Sequence, residues 1–431
     1  MAKNANNKVS IWQSLHNAWK VQDIRKKLIY TFFMLILFRL VGVIPAPGVD
    51  YVRVKSAMSG SNLPLLDLVN MMTGSNFSNM TIMAMGITPY INSSIIMQLL
   101  TIAIPALERL QKSGPEGQKK IAQITRYVTV GLAVVQAIGL VASLGYIKSG
   151  WFNTVLVGVS MAAGTALAMW IGERITANGL GNGVSLLIFA GIISNLFNGF
   201  TSLIANAFSA TSLTPWLTLL AVLLFALVMI VVVTFVDMGV RRIQVQYAKR
   251  VTGRKMYGGQ SSILPLKVCS VGVMPLIFAY SFMAFPSTLI QLFGGSESGL
   301  GLWWSRYMNY YSPLYMIVTA LLIIAFTYFY TSISFQPDEM AKNIQQQGGV
   351  IPHVRPGKPT ADFLARTNNR LTLFAALFLA VLATLPNLFT VGLQTSVPFA
   401  ASSLLIAVSV VLETKRQLDD LLVSRNYDTL T

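Results

Sequence analysis

Long apolar runs recur along the chain, and polar or basic segments separate them. A helix needs about 20 residues, at about 1.5 Å each, to cross the hydrocarbon core of a bilayer. Runs of roughly this length predict ten membrane-spanning helices, at approximately 28–44, 80–103, 121–146, 155–175, 184–204, 216–236, 268–293, 314–335, 371–389 and 398–412. They are longer than the ~10-residue alternating strands of membrane barrels. The pattern therefore predicts an all-α, polytopic membrane protein.

One further apolar run, from Leu63 to Met72, is too short to cross. It carries Asp67 and Asn70 and ends in the turn-forming residues 73–76. Main chain that leaves a helix inside lipid is tolerated only where protein or a water-filled cavity surrounds it. We therefore expect a half-helix that dips into a cavity built by the rest of the chain. An amphipathic helix lying on the membrane surface also fits the local sequence.

The composition is that of a membrane protein. The chain is 54% hydrophobic and 11% charged, whereas soluble domains have roughly 25% charged residues. The mean hydropathy is +0.61. A net charge of +17 could also indicate nucleic-acid binding, so the positions of the charges decide between the two interpretations.

The basic residues fall mostly on one side of the predicted topology. Cytoplasmic segments of membrane proteins are enriched in Lys and Arg. With the amino terminus inside, the cytoplasmic segments contain all but five of the 32 basic residues. One of the five lies within the first span and the others lie outside: Arg39, Arg53, Lys55, Lys148 and Arg306. Counting Leu63 to Met72 as a span would place most of the charge outside. That run is therefore predicted not to cross, and both termini are predicted to be cytoplasmic.

The spans divide the chain into two halves of five, 28–205 and 206–412. An odd number of spans makes the second half enter the membrane from the opposite side, which permits an inverted repeat. Residues 1–27 are basic and place Trp12, Leu15 and Trp19 at helical spacing, as in an interfacial amphipathic helix. Residues 413–431 form a cytoplasmic tail.

Two predicted cytoplasmic loops, about 237–267 and 336–370, are too long to be simple connections. They contain the segments RRIQVQYAKRVTGRK and QQQGGVIPHVRPGKP. For most of their basic residues, solvated charge or contact with anionic lipid is a sufficient explanation. Around Arg355, however, the turn-forming residues predict a defined turn: Gly348, Gly349, Pro352, Pro356, Gly357 and Pro359.

The sequence offers little catalytic chemistry. It has no GxxxxGK[ST] nucleotide loop, a single cysteine (Cys269) and two distant histidines, so we expect no cofactor and no metal site. Coupled transporters place paired ionisable residues within their spans, and Arg39 is almost alone there. An ion channel would need a ring of charge or of ordered carbonyls. What remains is a passage lined by apolar and small polar residues.

Several long segments resemble the SecY family, the central subunits of bacterial protein-conducting channels. GITPYINSSIIMQLL (86–100) is similar to the family signature of the second span, and WIGERITANGLGNGVSLLIFAGI (170–192) to the signature that joins spans four and five. FRLVGVIPAPG (38–48), YAKR (247–250), QSSILPLKV (260–268) and GGVIPHVRPGK (348–358) match as well. The resemblance extends nearly from end to end.

The resemblance implies two pseudo-symmetric, inverted five-span halves with a half-helix that plugs an hourglass pore. The plug would be residues 63–76, including Leu65, Leu66, Asp67, Asn70 and Gly74. The pore ring would be six isoleucines: Ile87, Ile91, Ile188, Ile192, Ile277 and Ile406. The four-residue spacing within the first two pairs puts each pair on one helix face. Alone, an isoleucine in a membrane helix ordinarily packs or contacts lipid, so the pore assignment rests on the resemblance. An aliphatic constriction excludes water and ions by dewetting.

The resemblance also implies a lateral gate between spans two and three on one side and seven and eight on the other. Candidate gate residues are Gln136, Tyr280 and Ser281, together with Cys269, where the family commonly has Asn. The docking surface for the ribosome and for the motor ATPase SecA would include Arg250, Arg254, Lys255 and Arg355. Further expected partners are SecE-like and SecG-like membrane subunits, signal peptides, nascent polypeptides and membrane lipid.

The predicted function is therefore a passive, non-enzymatic channel in the bacterial plasma membrane, driven by SecA or by the translating ribosome. It would pass unfolded secretory polypeptides across and release hydrophobic segments into lipid. A secondary transporter for a small apolar solute is the alternative from a different class, since a broken helix and the parity of the spans fit it too. A membrane insertase is an overlapping role.

Overall fold

The computed structural model describes residues 19–49, 76, 79–144, 151–209, 214–247, 250–252, 255–257, 261–269, 272, 274–293, 299–308, 312–393 and 401–428. Most of these residues are helical. The first helices are α1 (Gln22–Val41), α2 (Thr88–Ala103), α3 (Pro105–Lys112), α4 (Pro115–Leu144), α5 (Trp151–Asn178), α6 (Gly183–Ser209) and α7 (Thr214–Asp237).

Four strands follow: β1 (Val240–Tyr247), β2 (Arg250–Thr252), β3 (Lys255–Tyr257) and β4 (Ser261–Lys267). The remaining elements are α8 (Met274–Phe293), α9 (Gly299–Tyr307), α10 (Pro313–Ser334), α11 (Pro337–Gln346), β5 (Gly349–Val350), α12 (Lys358–Leu393) and α13 (Ala401–Asp428). The all-α class is confirmed, with these short strands as an addition to it.

A helix overlaps every predicted span. Within the described ranges, six helices are long and apolar enough to cross a membrane, or seven if the bent pair α2–α3 counts as one span. The axes of α2 and α3 differ by 102°, at a break of one residue, Ile104. The prediction of ten spans is therefore neither confirmed nor contradicted and stays a prediction.

Helix α7 shows how the spans divide between protein and lipid. Every third or fourth side chain on one face is exposed: Leu217, Leu220, Leu224, Leu227 and Val231. The opposite face is buried, at Val222, Ala226, Met229 and Val233. A row of exposed leucines is unfavourable in water but is satisfied by acyl chains, so this face is suited to lipid.

The chain divides into two compact units, one formed by Met1–Thr211, Ala284–Asn309 and Ile406–Thr431, the other by Ser212–Met283 and Tyr310–Leu405. In the first unit α5 is buried on most of its circumference, and small residues let its neighbours approach. A methyl group at Gly164 would overlap the Ile82 carbonyl, and one at Gly158 would overlap the Ile138 side chain. Helix α5 is therefore the central helix of this unit.

A small apolar cluster in the same unit joins three separate parts of the chain. Ile24 of α1, Leu180 of the α5–α6 turn and Leu418 of α13 are all buried in it. The Leu180 amide donates a hydrogen bond to the Thr31 hydroxyl at 3.0 Å. The long helix α13 is thereby fixed at its tail end to the base of α1.

The second unit contains a small sheet with strand order β4-β1-β5. Ile243 and Val245 of β1 point into an apolar cluster with Leu266, Ile344 and Leu364. The alternation Ile-Gln-Val-Gln-Tyr in β1 is the period-2 pattern of a half-buried strand, in a segment predicted above as a cytoplasmic loop. Pro265 is tolerated because β4 is an edge strand.

The second predicted span begins later than expected. Residues 79–87 are not helical, and α2 starts at Thr88. The main chain of this stretch pairs with the loop after α1: Ala46 donates to the Met80 carbonyl at 3.1 Å, and Ile82 donates to the Ile44 carbonyl at 3.0 Å. Met80 and Gly86 have positive φ, 44° and 53°, which a helix cannot accommodate.

Candidate functional site

The first isoleucine pair of the predicted ring lies at the start of α2. Ile87 is the residue that caps the helix, and the Ile91 amide donates to its carbonyl at 3.1 Å. Both side chains are buried. The pair therefore lies on one face, where α2 begins: Ile87 is the last residue of the non-helical stretch and Ile91 lies in the first turn of the helix.

The second pair lies on α6, one turn apart, and both side chains are buried. Ile188 belongs to a run of three buried residues, Leu186, Leu187 and Ile188, and Ile192 is among the most buried residues of the unit. The adjacent Ile193 is exposed. Both predicted ring residues on this helix are therefore enclosed by protein, whereas the residue that follows Ile192 is exposed.

The last two predicted ring residues are also buried. Ile277 lies in α8 within the buried run 275–279, and Ile406 lies in α13 within the buried run 403–407. A helix that is buried over consecutive residues is enclosed on all sides there. All six isoleucines are thus removed from the exposed surface, whereas their convergence on one axis stays a prediction.

The predicted gate residues have mixed surroundings. Gln136 on α4 and Tyr280 on α8 are half-buried, and Ser281 lies on α8. Cys269 lies in a turn before α8 and borders a small cavity with Thr327, Thr331 and Thr372. Their grouping as a gate stays a prediction.

Asn92 is a further polar residue next to the predicted ring, and it is not among the predicted site residues. Its side-chain oxygen is buried and has no hydrogen-bond partner among the described residues. It follows Ile91 directly on α2, a helix that packs against α4. The signal was present in the sequence, since Asn92-Ser93-Ser94 interrupts an otherwise apolar run.

The loop that carries Arg355 is held on both sides. Ile351 is buried, and Val354 packs against the same cluster as the sheet. Gly349 of β5 pairs with Tyr247 of β1. The Arg355 carbonyl accepts a hydrogen bond from the Thr360 hydroxyl at 2.8 Å, while its side chain is exposed.

The backbone of this loop turns sharply enough to need unusual conformations. Gly348, His353 and Gly357 have φ of 71°, 66° and 95°. Glycine adopts this region without penalty, and a histidine there is uncommon. The loop therefore presents an exposed guanidinium on a main chain that is anchored by buried neighbours, as a binding site for an anionic group would require.

The other predicted docking residues belong to a second hairpin. Arg250 lies on β2 and Lys255 on β3, which pair in the register Arg250↔Tyr257 and Thr252↔Lys255. Arg254 lies between these strands and outside the described residues. Also outside the described residues are the predicted plug residues Leu65, Leu66, Asp67, Asn70 and Gly74.

Comparisons with known proteins agree with this architecture. The sequence model of the SecY family matches residues 81–415. The protein translocase subunit SecY of Streptomyces scabiei is 42% identical over 433 residues, covering 95% of this chain and 98% of that protein.

Two solved structures share the fold at lower identity. A protein-conducting channel superposes with a TM-score of 0.67 at 20% identity, covering 91% of each chain. Sec61 in the canine ribosome-channel complex of the endoplasmic reticulum superposes with a TM-score of 0.63 at 18% identity, also covering 91% of each chain. The buried isoleucine pairs, the anchored basic loop and these matches lead to one assignment. This chain belongs to the SecY family.

Proposed function

We propose that the six buried isoleucines of the predicted ring close the passage of this channel at its narrowest part, called the waist below. Membership of the family makes the chain the pore-forming subunit of a protein translocase, a multi-pass membrane protein and not itself an enzyme. The alternative of a small-solute transporter has no support. The observation that carries the proposal is the burial of the predicted ring residues, in contrast to the exposure of a neighbour such as Ile193.

The chemistry of an aliphatic waist suits a channel for polypeptides. Water leaves a narrow constriction that offers no hydrogen bonds, so ions that keep their hydration shells do not pass. Branched aliphatic side chains make only non-directional contacts. They can therefore pack around any translocating side chain without selecting for its sequence.

We further propose that hydrophobic segments leave sideways through a gate that includes Gln136, Cys269, Tyr280 and Ser281. A Leu, Ile, Phe or Val near the bilayer centre gains about 0.3–0.6 kcal/mol, whereas a charged residue costs about 2.5–3.5 kcal/mol. One charge therefore offsets several leucines. A polar segment stays in the aqueous path, and a sufficiently apolar one partitions into lipid, so membrane insertion is a second outcome at the same site.

The anchored loop around Arg355 and the hairpin that carries Arg250, Arg254 and Lys255 are proposed to dock cytoplasmic partners. The structural neighbour from the canine endoplasmic reticulum was solved in a complex with a ribosome, which supports a ribosomal partner here. A positive loop also suits carboxylate groups on a motor ATPase such as SecA. Nascent chains with signal peptides would be the substrates.

The expected setting is the bacterial plasma membrane with both termini in the cytoplasm. The distribution of the basic residues supports this orientation. A SecE-like subunit would clamp the two halves, and a SecG-like subunit would lie at the periphery. The exposed leucine face of α7 would contact lipid.

Reconstituted vesicles test the channel function. The chain is incorporated with its small membrane subunits, and an unfolded preprotein is offered with SecA and ATP. Protease protection of the preprotein is the expected result. Uptake of small apolar solutes without any partner, and no protection of the preprotein, would contradict it.

Crosslinking tests the position of the waist. Cysteines are placed at Ile91 and at Ile277 in a Cys269→Ser background, and a secretory chain with one cysteine is stalled during translocation. Both positions are expected to form disulfides with the stalled chain. A cysteine at the exposed Ile193 serves as the control and should not react. Equal crosslinking at all three positions would contradict an isoleucine waist.

A further inference from the structure

Arg39 on α1 contacts the main chain of a pore-lining helix. Its guanidinium donates a hydrogen bond to the carbonyl of Ala190 on α6. Ala190 lies midway between Ile188 and Ile192 in sequence. Helices α1 and α6 pack against each other in the same unit. Arg39 therefore joins the first predicted span to α6, the helix that carries two of the proposed ring residues.

The contact is made at the back of the pore-lining helix. A helix turns by about 100° per residue, since it has 3.6 residues per turn. Ala190 is therefore about 200° around the helix from Ile188 and from Ile192, which themselves differ by only about 40°. The isoleucines and Ala190 face opposite directions.

The contact also lies within the predicted first span, 28–44, in the last turn of α1. In the middle of α1, the Thr31 hydroxyl accepts a hydrogen bond from the Leu180 amide in the α5–α6 turn. Arg39 is eight residues beyond Thr31, about 12 Å along the helix, in a hydrocarbon core that is about 30 Å thick. A guanidinium at such a depth is unfavourable unless polar groups pair with it. The hydrogen bond to the Ala190 carbonyl is such a pairing, and an apolar side chain could not make it.

We propose that Arg39 is a positioning residue that sets the rotation of α6 and so directs Ile188 and Ile192 toward the passage. A main-chain carbonyl is available at every position of a helix, and only a long donor can reach one from a neighbouring helix. Arg suits this role because its planar guanidinium stays charged and has five donors in a fixed fork. This inference rests on the proposed isoleucine waist.

Ion leak in the absence of substrate is the measurement that tests Arg39. Arg39→Met keeps an unbranched, flexible stem, although a shorter one, and removes all the donors. Arg39→Lys keeps the charge but lacks the planar fork. Each variant is reconstituted with the small membrane subunits in potassium-loaded vesicles, and potassium release per channel is measured. The leak is expected to rise several-fold with Met and to take an intermediate value with Lys.

Arg126→Met is the matched control, because it also removes an arginine that joins two helices of the same unit. Arg126 pairs with Glu173 at 2.7 Å, on the exposed part of α4 and α5. This variant should leave the leak unchanged. An equal leak from Arg126→Met and Arg39→Met would indicate a general loss of packing and would overturn the proposal, as would a lower unfolding temperature of Arg39→Met without any leak.

Two further comparisons keep the test decisive. If Arg39→Met does not accumulate, a leak from Arg39→Lys above that of the unaltered chain supports the proposal, and an unchanged leak overturns it. Ile192→Ser is measured alongside. A leak from Ile192→Ser without one from the Arg39 variants rejects only the role of Arg39, whereas no leak from Ile192→Ser rejects the isoleucine waist itself.

Discussion

Ile192 and Ile193 are neighbours in the chain with opposite surroundings. Ile192 is 2% exposed and Ile193 is 46% exposed. Both side chains are equally hydrophobic, so hydropathy cannot separate them. Their directions around α6 differ by about 100°, and this difference alone determines which one is enclosed by protein.

The pair supplies a first prediction about the closed state. Ile192→Ser puts a hydroxyl at the proposed waist, where it can retain water, so the resting channel should leak ions several-fold more. Ile193→Ser makes the same change on the exposed side and should leave the leak unchanged. Single-channel recordings in planar bilayers measure both. If the resting Ile192→Ser channel leaks no more ions than the unaltered channel, closure by this side chain is contradicted.

A second prediction concerns Arg355. Its exposed guanidinium sits on a loop that Ile351 and Thr360 hold in place. Arg355→Glu reverses the charge without altering these anchors. SecA-driven transport should therefore be abolished, while the amount of inserted protein stays the same. The measurement is preprotein protection per inserted channel.

Arg366→Glu is the control for charge alone, since Arg366 is also exposed but lies on the regular helix α12. We expect it to retain transport. Normal transport by Arg355→Glu, or equal losses from both variants, would reject a specific docking role for Arg355.

At the scale of elements, the close packing of helices against neighbouring main chain depends on glycines at positions that have no room for a Cβ atom. Gly164 of α5 lies against the Ile82 carbonyl, in the non-helical stretch before α2. Gly183 at the start of α6 lies against the Gly172 carbonyl. Neither contact can be relieved by a rotamer change, because the obstacle in each case is main chain.

Alanine substitutions test this packing. Gly164→Ala should lower the unfolding free energy by roughly 1–3 kcal/mol through overpacking. Gly131→Ala in α4 is the control, because nothing lies within 4 Å of its added methyl, and it should be neutral or stabilising by up to about 1 kcal/mol through helix propensity. Denaturant titration in detergent measures both. A stability loss in Gly131→Ala equal to that in Gly164→Ala would contradict the packing account.

The elements also show where sequence reasoning succeeds and where it stops. Apolar runs of helical length correctly predicted helices, because main-chain groups in lipid must form their hydrogen bonds within the segment. The strands at β1 and β4 were missed, although Ile243 and Val245 alternate with polar residues in the required period. The basic residues beside these strands indicated a solvated or lipid-binding loop instead. The late start of α2 has a local cause, since Pro89 lies in its first turn and Gly86 adopts positive φ before it.

The candidate site was predictable from the sequence only in part. The six isoleucine positions followed from the family resemblance, and each is buried, while their role as a pore ring stays a prediction. The partner of Arg39 could not be predicted, because a main-chain carbonyl has no sequence signature. The burial of the Asn92 oxygen likewise depends on packing between helices that no local pattern describes.

At the scale of the whole molecule, the asymmetry of the basic residues predicts the orientation in the membrane. The chain has a single cysteine, so Cys269→Ser yields a cysteine-free background. Arg306 and Lys358 are both exposed, and one predicted span, matched by α10, separates them. They are therefore expected on opposite sides of the membrane.

Labelling from outside the cell tests this orientation. Arg306→Cys should react with a membrane-impermeant maleimide in intact cells. Lys358→Cys should react only after the membrane is permeabilised, because it lies on the predicted cytoplasmic side. The reverse pattern, or labelling of both cysteines in intact cells, would contradict the proposed topology.

The continuity of α13 has a mechanical consequence. The helix is continuous from Ala401 to Asp428. Ile406 and Leu418 therefore lie on the same helix, about 18 Å apart along its axis. Leu418, ten residues before the end of the helix, packs against Ile24 and Leu180. A macromolecule that displaces this part of α13 would transmit the displacement to Ile406 without loss at a flexible joint, and the same force would act on α1 and on the α5–α6 turn.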